Sequence, residues 1–457
     1  MERPIKEIIE IYFNIRERLN IKINASQNCN IGHIICKLYA YMRFKNLKTL
    51  FVFSIFLLGF TFLTSTSYAQ RFQFNGKRSK ETLSFKMVKN LMIIPLTING
   101  KGPYNFILDT GVGLFIVSDT TLIDYLGIKN RRSIKILGFG SGVDLSAYVT
   151  PSIEVKIGNS VAKNLPAALL KKDIFELSSF VGMPIHGLVG YDFFDSFTVR
   201  VNYLSSTITY YKPEKAYIPR KGQRIPITIE ERKPYVTSNI TLSNGEKIIT
   251  KLILDTGAGH PISLETVDGI PFPLPQNNIS ANLGIGLTGQ IQGFIGRISS
   301  MKLGRYELEN VIAAFPNYDD VAAKVTSLSR NGNIGNTVLR RFEVVFDYHR
   351  ECIYLKPVMQ LNEPFEHDMS GIEITSAGDD FNRILITRVE KDSPAAKLGL
   401  ETDDEILSIN FKPVTEMSIE EIDKLFRSKN ERSFILSIVP KGTKEVSRVM
   451  LTLERRI

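Results

Sequence analysis

Two aspartates stand in near-identical surroundings 146 residues apart, in Phe106-Ile-Leu-Asp-Thr-Gly-Val-Gly113 and Leu252-Ile-Leu-Asp-Thr-Gly-Ala-Gly259. In each, an apolar triplet predicts the end of a buried strand. The Thr-Gly that follows bends the chain and frees the carboxylate of Asp109 or Asp255. Brought face to face, two carboxylates cannot both ionise, so the pair holds one proton. One member then takes a proton from a bound water while the other polarises a carbonyl. An amide is hydrolysed this way with no covalent intermediate, cofactor or metal. The pair titrates as a unit, and the sequence gives neither residue a fixed role.

Such chemistry needs two supports that face each other, and the chain carries two copies of one. Residues 187–203 resemble residues 332–348, an offset of 145. Both copies run on into a short strand ending in Lys-Pro, at Pro213 and Pro357. Glycine-rich stretches begin at Gly138 and Gly284, again 146 apart. A repeat this long means paired domains rather than a solenoid. Apolar β-type runs lead into each copy, and Asn99-Gly100 and Asn244-Gly245 are hairpin signals. Two β-rich lobes are expected, over 88–215 and 216–358.

The paired D-T-G strands are each followed by an apolar-apolar-Gly segment, Leu188-Val-Gly190 in the first copy and, less closely, Asn333-Ile-Gly335 in the second. Together they resemble the pepsin/retropepsin aspartic proteases across about residues 90–357. The resemblance implies a mostly β, bilobal double-β-barrel that cleaves polypeptides with Asp109 and Asp255. It implies hydrogen bonds from Thr110 and Thr256 across the lobe junction, and close approach of the substrate backbone at Gly111 and Gly257. Both copies in one chain imply a site that needs no homodimer. The family also has a flap over the cleft, for which Gly138, Phe139 and Gly140 are the candidates, with Phe139 on the substrate. Val112 stands where the family has Ala or Ser, and Asn333 where it has an apolar residue. The other reading is a catalytically inactive scaffold that binds peptides through the same cleft.

Other motifs carry less. Gly284-Ile-Gly-Leu-Thr-Gly289 fits G-x-G-x-x-G but lacks the helix and acidic residue of a dinucleotide site, so a hairpin is expected. Ser141 is not in the order of a nucleophile elbow. The histidines are scattered, and no H-E-x-x-H or cysteine pair suggests zinc. His260 is read as a polar loop residue near the cleft.

The pattern changes beyond residue 358. Residues 359–369 are polar and read as a linker. Strand, short helix, strand, amphipathic helix and two strands then follow over 370–457. With Ser393-Pro-Ala-Ala-Lys-Leu-Gly-Leu400 and Asp404-Glu-Ile-Leu-Ser-Ile-Asn410, this order resembles a bacterial-type PDZ domain. The resemblance implies an α+β module that takes a C-terminal or extended peptide as an added strand. Its carboxylate-binding loop is expected near Gly371, Ile372, Glu373 and Ile374. A packing or access-regulating role is the alternative.

The net charge of +10 contains a surplus of five from residues 1–70, which leaves about +5 spread evenly over the rest. That excludes a nucleic-acid-binding surface of the usual basic kind. Within 42–70, Arg43, Lys45 and Lys48 precede an apolar run from Leu50 to Leu63, and Ser67-Tyr68-Ala69 forms a small-residue cleavage site. This has the form of a signal peptide, and the run is short for a bilayer span of about 20 residues. A periplasmic or secreted protein is expected, with a membrane anchor as the alternative. Residues 1–41 then read as a true extension or as sequence ahead of a start at Met42. The mature chain keeps Cys352 alone of three cysteines, so no internal disulfide forms. Residues 71–87 are basic and read as a pro-segment or a tether.

Overall fold

A computed structural model describes residues 71–136, 145–286, 289–317 and 330–457. The fold is mostly β, in several sheets. The expected signal segment 42–70 and the flap candidates Gly138, Phe139 and Gly140 lie outside the described residues.

Strands buried on both faces read as unbroken apolar runs. Leu91–Ile98 is buried at nearly every position, and Phe342–Asp347 at all six, its Glu343 and Asp347 being paired with Arg200 and Arg350. Where the chain must reverse within two residues, Asn99 and Gly100 both take positive φ and join Leu91–Ile98 to Lys101–Leu108.

The first lobe is built on a nine-stranded sheet among the described residues. At its centre, Lys101–Leu108 runs parallel to Gly187–Val189, with Phe106 opposite Gly187 and Leu108 opposite Val189. Gly187–Val189 is in turn antiparallel to Phe115–Val117. The second lobe repeats this arrangement in an eight-stranded sheet. There, Lys247–Leu254 runs parallel to Gly332–Ile334, which is antiparallel to Ile262–Leu264. Asn278–Gly286, which holds Gly284, pairs antiparallel with Gly289–Leu303.

A third sheet fixes the lobes to each other. Its six strands run in the order Gln223–Pro226, Cys352–Pro357, Phe342–Asp347, Thr198–Asn202, Thr207–Tyr211 and Lys80–Ser84. Val199 lies opposite Phe346, and Val201 opposite Val344. All four side chains are fully buried. Burying each stabilises the junction by about 1.5–3 kcal/mol relative to exposure.

Residues 71–87, expected as a linker or pro-segment, are packed into the sheets. Gln73–Phe74 pairs with Ser160–Leu170, and Lys80–Ser84 pairs with Thr207–Tyr211. Phe72 and Phe74 are buried, with ring centroids 5.7 Å from Phe193 and 5.2 Å from Tyr210. Arg71 and Gln73, which alternate with them, face solvent, which is the period-two pattern of a half-buried strand. The stretch 359–369 is packed rather than loose. Phe365 is buried beneath the Arg341 guanidinium, 3.7 Å from the ring centroid, and Arg341 Nη1 donates to the carbonyl of Leu361 at 2.8 Å.

The C-terminal module has its own core, including Ile372, Ile386, Ile406, Phe426 and Phe434. Its sheet runs in the order Ile372–Ala377, Arg383–Val389, Glu405–Ile409, Ser433–Val439 and Ser447–Thr452. The helix Ile419–Phe426 starts at a capping box, in which Ser418 and Glu421 satisfy each other's backbone N–H groups. Ile372–Ala377 is an edge strand of this sheet.

Candidate active site

Each aspartate backbone is anchored by the neighbouring parallel strand. Asp109 donates its N–H to Val189 O at 2.8 Å, and Asp255 donates to Ile334 O at 2.9 Å. The turn then folds back on the side chain. Gly111 N–H donates to Asp109 Oδ1 at 2.7 Å, and Gly257 N–H to Asp255 Oδ1 at 2.9 Å. Each carboxyl group is half-buried.

Thr110 and Thr256 exchange bonds across the lobe junction. Thr110 N–H donates to Thr256 Oγ1 at 3.0 Å, and Thr256 N–H to Thr110 Oγ1 at 2.9 Å. The hydroxyls donate onward, Thr110 to Leu254 O at 2.6 Å and Thr256 to Leu108 O at 2.8 Å. Both threonines are fully buried. Thr256→Val keeps the shape but strands Thr110 N–H and Leu108 O. With about 1–3 kcal/mol for each buried group left unpaired, the variant is expected to lose about 2–6 kcal/mol in denaturant unfolding.

Burial pushes the Asp109 carboxyl well above the usual range, and the charge of Asp255 beside it adds to the effect. The Gly111 N–H and the charge of Lys233 work against it. The two carboxyl groups face each other, and their repulsion is relieved when one keeps a proton. The glycines make this approach possible. A Cβ on Gly257 would overlap the Asp109 carboxyl group, and one on Gly111 would lie 2.8 Å from Asp255 Oδ1.

The structure adds residues that the motifs did not indicate. Asn333 Nδ2 donates to Asp255 Oδ2 at 2.9 Å, and His260 Nε2 lies 2.8 Å from Asn333 Oδ1. His260, read from sequence as a loop residue, is thus tied to the dyad. Asn336 is fully buried behind the second D-T-G turn. Its Nδ2 donates to Thr256 O at 2.7 Å and to Asn90 O at 2.8 Å, and its Oδ1 accepts from Tyr203 at 2.8 Å. No local sequence pattern marks Asn336, Asn90 or Tyr203.

At the loop of the C-terminal module expected to bind a carboxylate, the backbone N–H groups of Ser370, Gly371 and Ile372 have partners within the chain. The Asp368 carboxylate accepts from Ser370 N–H at 2.9 Å and from Gly371 N–H at 2.7 Å, while Ile372 N–H donates to Ser370 Oγ at 3.0 Å. Glu373 is paired with Arg388 at 3.4 Å. The Ile374 carbonyl accepts from Lys89 Nζ of the first lobe at 3.2 Å. Lys89 N–H also donates to Glu420 Oε2 at 2.6 Å, and Lys89 Nζ lies 3.8 Å from Asp423. The turn after Lys86–Val88 therefore occupies the groove between strand Ile372–Ala377 and helix Ile419–Phe426. Lys89→Ala is expected to speed amide exchange in Ile372–Ala377 by about tenfold, as loss of one charge-assisted bond of about 1.5 kcal/mol would do. Hydrogen-exchange mass spectrometry of that segment checks it.

With this geometry in view, a family model described as aspartyl protease matches residues 94–193, and a PDZ domain model matches residues 385–440. The first match spans Asp109 and ends before the second lobe. No curated protein matches the chain. Among solved structures, a photosystem II D1 C-terminal processing protease is 19% identical, over 20% of this chain and 23% of that one, with a TM-score of 0.18. So small an overlap carries no argument about fold or activity. The chain contains an aspartyl protease domain of the retropepsin-like kind and, after it, a PDZ domain.

Proposed function

We propose that this chain is an exported aspartic endopeptidase, which hydrolyses peptide bonds of a polypeptide with a water held between Asp109 and Asp255. The observation that carries the reading is the reciprocal Thr110–Thr256 exchange, which holds the two D-T-G turns, and with them Asp109 and Asp255, at one point between the lobes. The PDZ domain regulates access to the cleft, or binds an extended peptide once the Lys89 turn leaves its groove. Both lobes lie in one chain, so the site requires no second copy. Export rests on the signal-like segment 42–70, and the periplasm or the exterior is the proposed location.

The geometry supports acid–base hydrolysis. A carboxylate takes a proton from water, the neighbouring acid polarises the peptide carbonyl, and the tetrahedral species is reached without a covalent bond to the protein. The test uses residues 71–457 and a mixed denatured protein substrate, with and without a statine-type peptide that mimics the tetrahedral species. Cleavage that the peptide blocks is the expected result. A folded protein that binds the peptide and cleaves nothing is the peptide-binding scaffold. One that neither binds nor cleaves overturns the reading.

A further inference from the structure

The two copies differ at two positions beside the second aspartate. Leu188 of the first copy is replaced by Asn333, and Leu114 by His260. The parallel register places Asn333 opposite Ile253, two residues before Asp255. From there its Nδ2 reaches Asp255 Oδ2, and its Oδ1 meets His260 Nε2. An amide oxygen only accepts, so His260 Nε2 carries the proton in this arrangement. Burial holds His260 below its ordinary value, in keeping with a neutral ring.

Asp255 thus receives an N–H on each oxygen, from Gly257 and from Asn333. Asp109 receives Gly111 N–H on Oδ1, and the matching side chain in its lobe, Leu188, has nothing to donate. Hydrogen bonds to a carboxylate favour its charged form. Resting on the peptidase reading above, we infer that the dyad is asymmetric: Asp255 is the base, Asp109 carries the shared proton, and Asn333 backed by His260 are the positioning residues that fix this assignment.

The proton movements follow. Water attacks the peptide carbon and gives a proton to Asp255, while Asp109 gives its proton to the carbonyl oxygen. The diol then loses its C–N bond as the Asp255 proton passes to nitrogen and a hydroxyl proton returns to Asp109. Acid and amine leave, and one proton remains on the dyad.

Other ionisable groups bear on the pair. Lys233 and Tyr348 act on both aspartates, and Glu265, paired with Arg330 at 3.1 Å, acts on Asp255. None of them is changed by Asn333→Leu or His260→Leu, which install the first lobe's residues. Asn333→Leu is expected to lower kcat about tenfold with KM within about twofold. The acid limb of its pH–rate profile should move up by about one unit, since a charge-assisted donor is lost. His260→Leu should move the limb in the same direction by less, and it carries the test if Asn333→Leu does not fold. Carboxyl titration by NMR of aspartate-labelled protein reads the same assignment without activity. Asp255 should ionise below Asp109 in the wild type, with the gap narrowed in Asn333→Leu. An unmoved acid limb with unmoved carboxyl titration, or the reverse order of ionisation, would overturn the asymmetry. A wild type that titrates as described but cleaves nothing would sink only the peptidase reading.

Discussion

An Asp109→Asn protein is expected to lose about 10³-fold or more in peptide cleavage, the upper part of the range for a positioned acid or base, and to melt at a higher temperature at neutral pH. The amide keeps the acceptor for Gly111 N–H, so the turn survives. It cannot carry the shared proton. The stability gain follows from linkage. Burial and the neighbouring Asp255 raise the folded-state value of Asp109 above that of the unfolded chain, about 3.9. The folded state then holds a proton that the unfolded chain has released. Folding takes up that proton, so this site's contribution to stability falls as pH rises from about 4 through the raised value. Asparagine removes the dependence. Calorimetry should show the variant more stable than wild type at neutral pH, with the gap closing below about pH 4. A variant inactive but less stable at neutral pH would mean that Asp109 acts structurally.

Gly257→Ala should be as damaging to activity and, unlike Asp109→Asn, harmful to the fold. Its Cβ would occupy the position of the Asp109 carboxyl group. Relief requires Asp109 to swing away or the lobes to part, and overpacking of this kind costs about 1–3 kcal/mol. Parting the lobes would also strain the Thr110–Thr256 exchange. Gly111→Ala meets Asp255 at 2.8 Å, a lesser overlap, and should be milder. Comparing the two by denaturant unfolding and by cleavage checks the order. Equal effects would mean that the close approach of Gly257 to Asp109 does not govern the site.

The two D-T-G turns were legible because a duplication repeats their surroundings, and surroundings predict strand ends. The shared sheet was not, since Val199 and Phe346 are paired only through folding and no local signal links them. In 71–87 the lysines and arginines are the conspicuous residues, yet Phe72 and Phe74 alternate with exposed residues as a strand requires. Asn333 was visible as a polar residue in an apolar motif. Its bond to Asp255 depends on the parallel register of two strands far apart in sequence, which a residue pattern does not contain. Lys89 looks like an ordinary turn lysine. Only the docking of the PDZ domain makes it a groove residue.

The most direct test of the account is cleavage of a mixed denatured protein substrate by residues 71–457, followed from about pH 3 to about pH 8 beside Asp109→Asn. The account predicts cleavage by the wild type that changes with pH as the dyad titrates, and none by the variant. Cleavage that persists undiminished in a folded Asp109→Asn protein would contradict it, as would a folded wild type inactive at every pH.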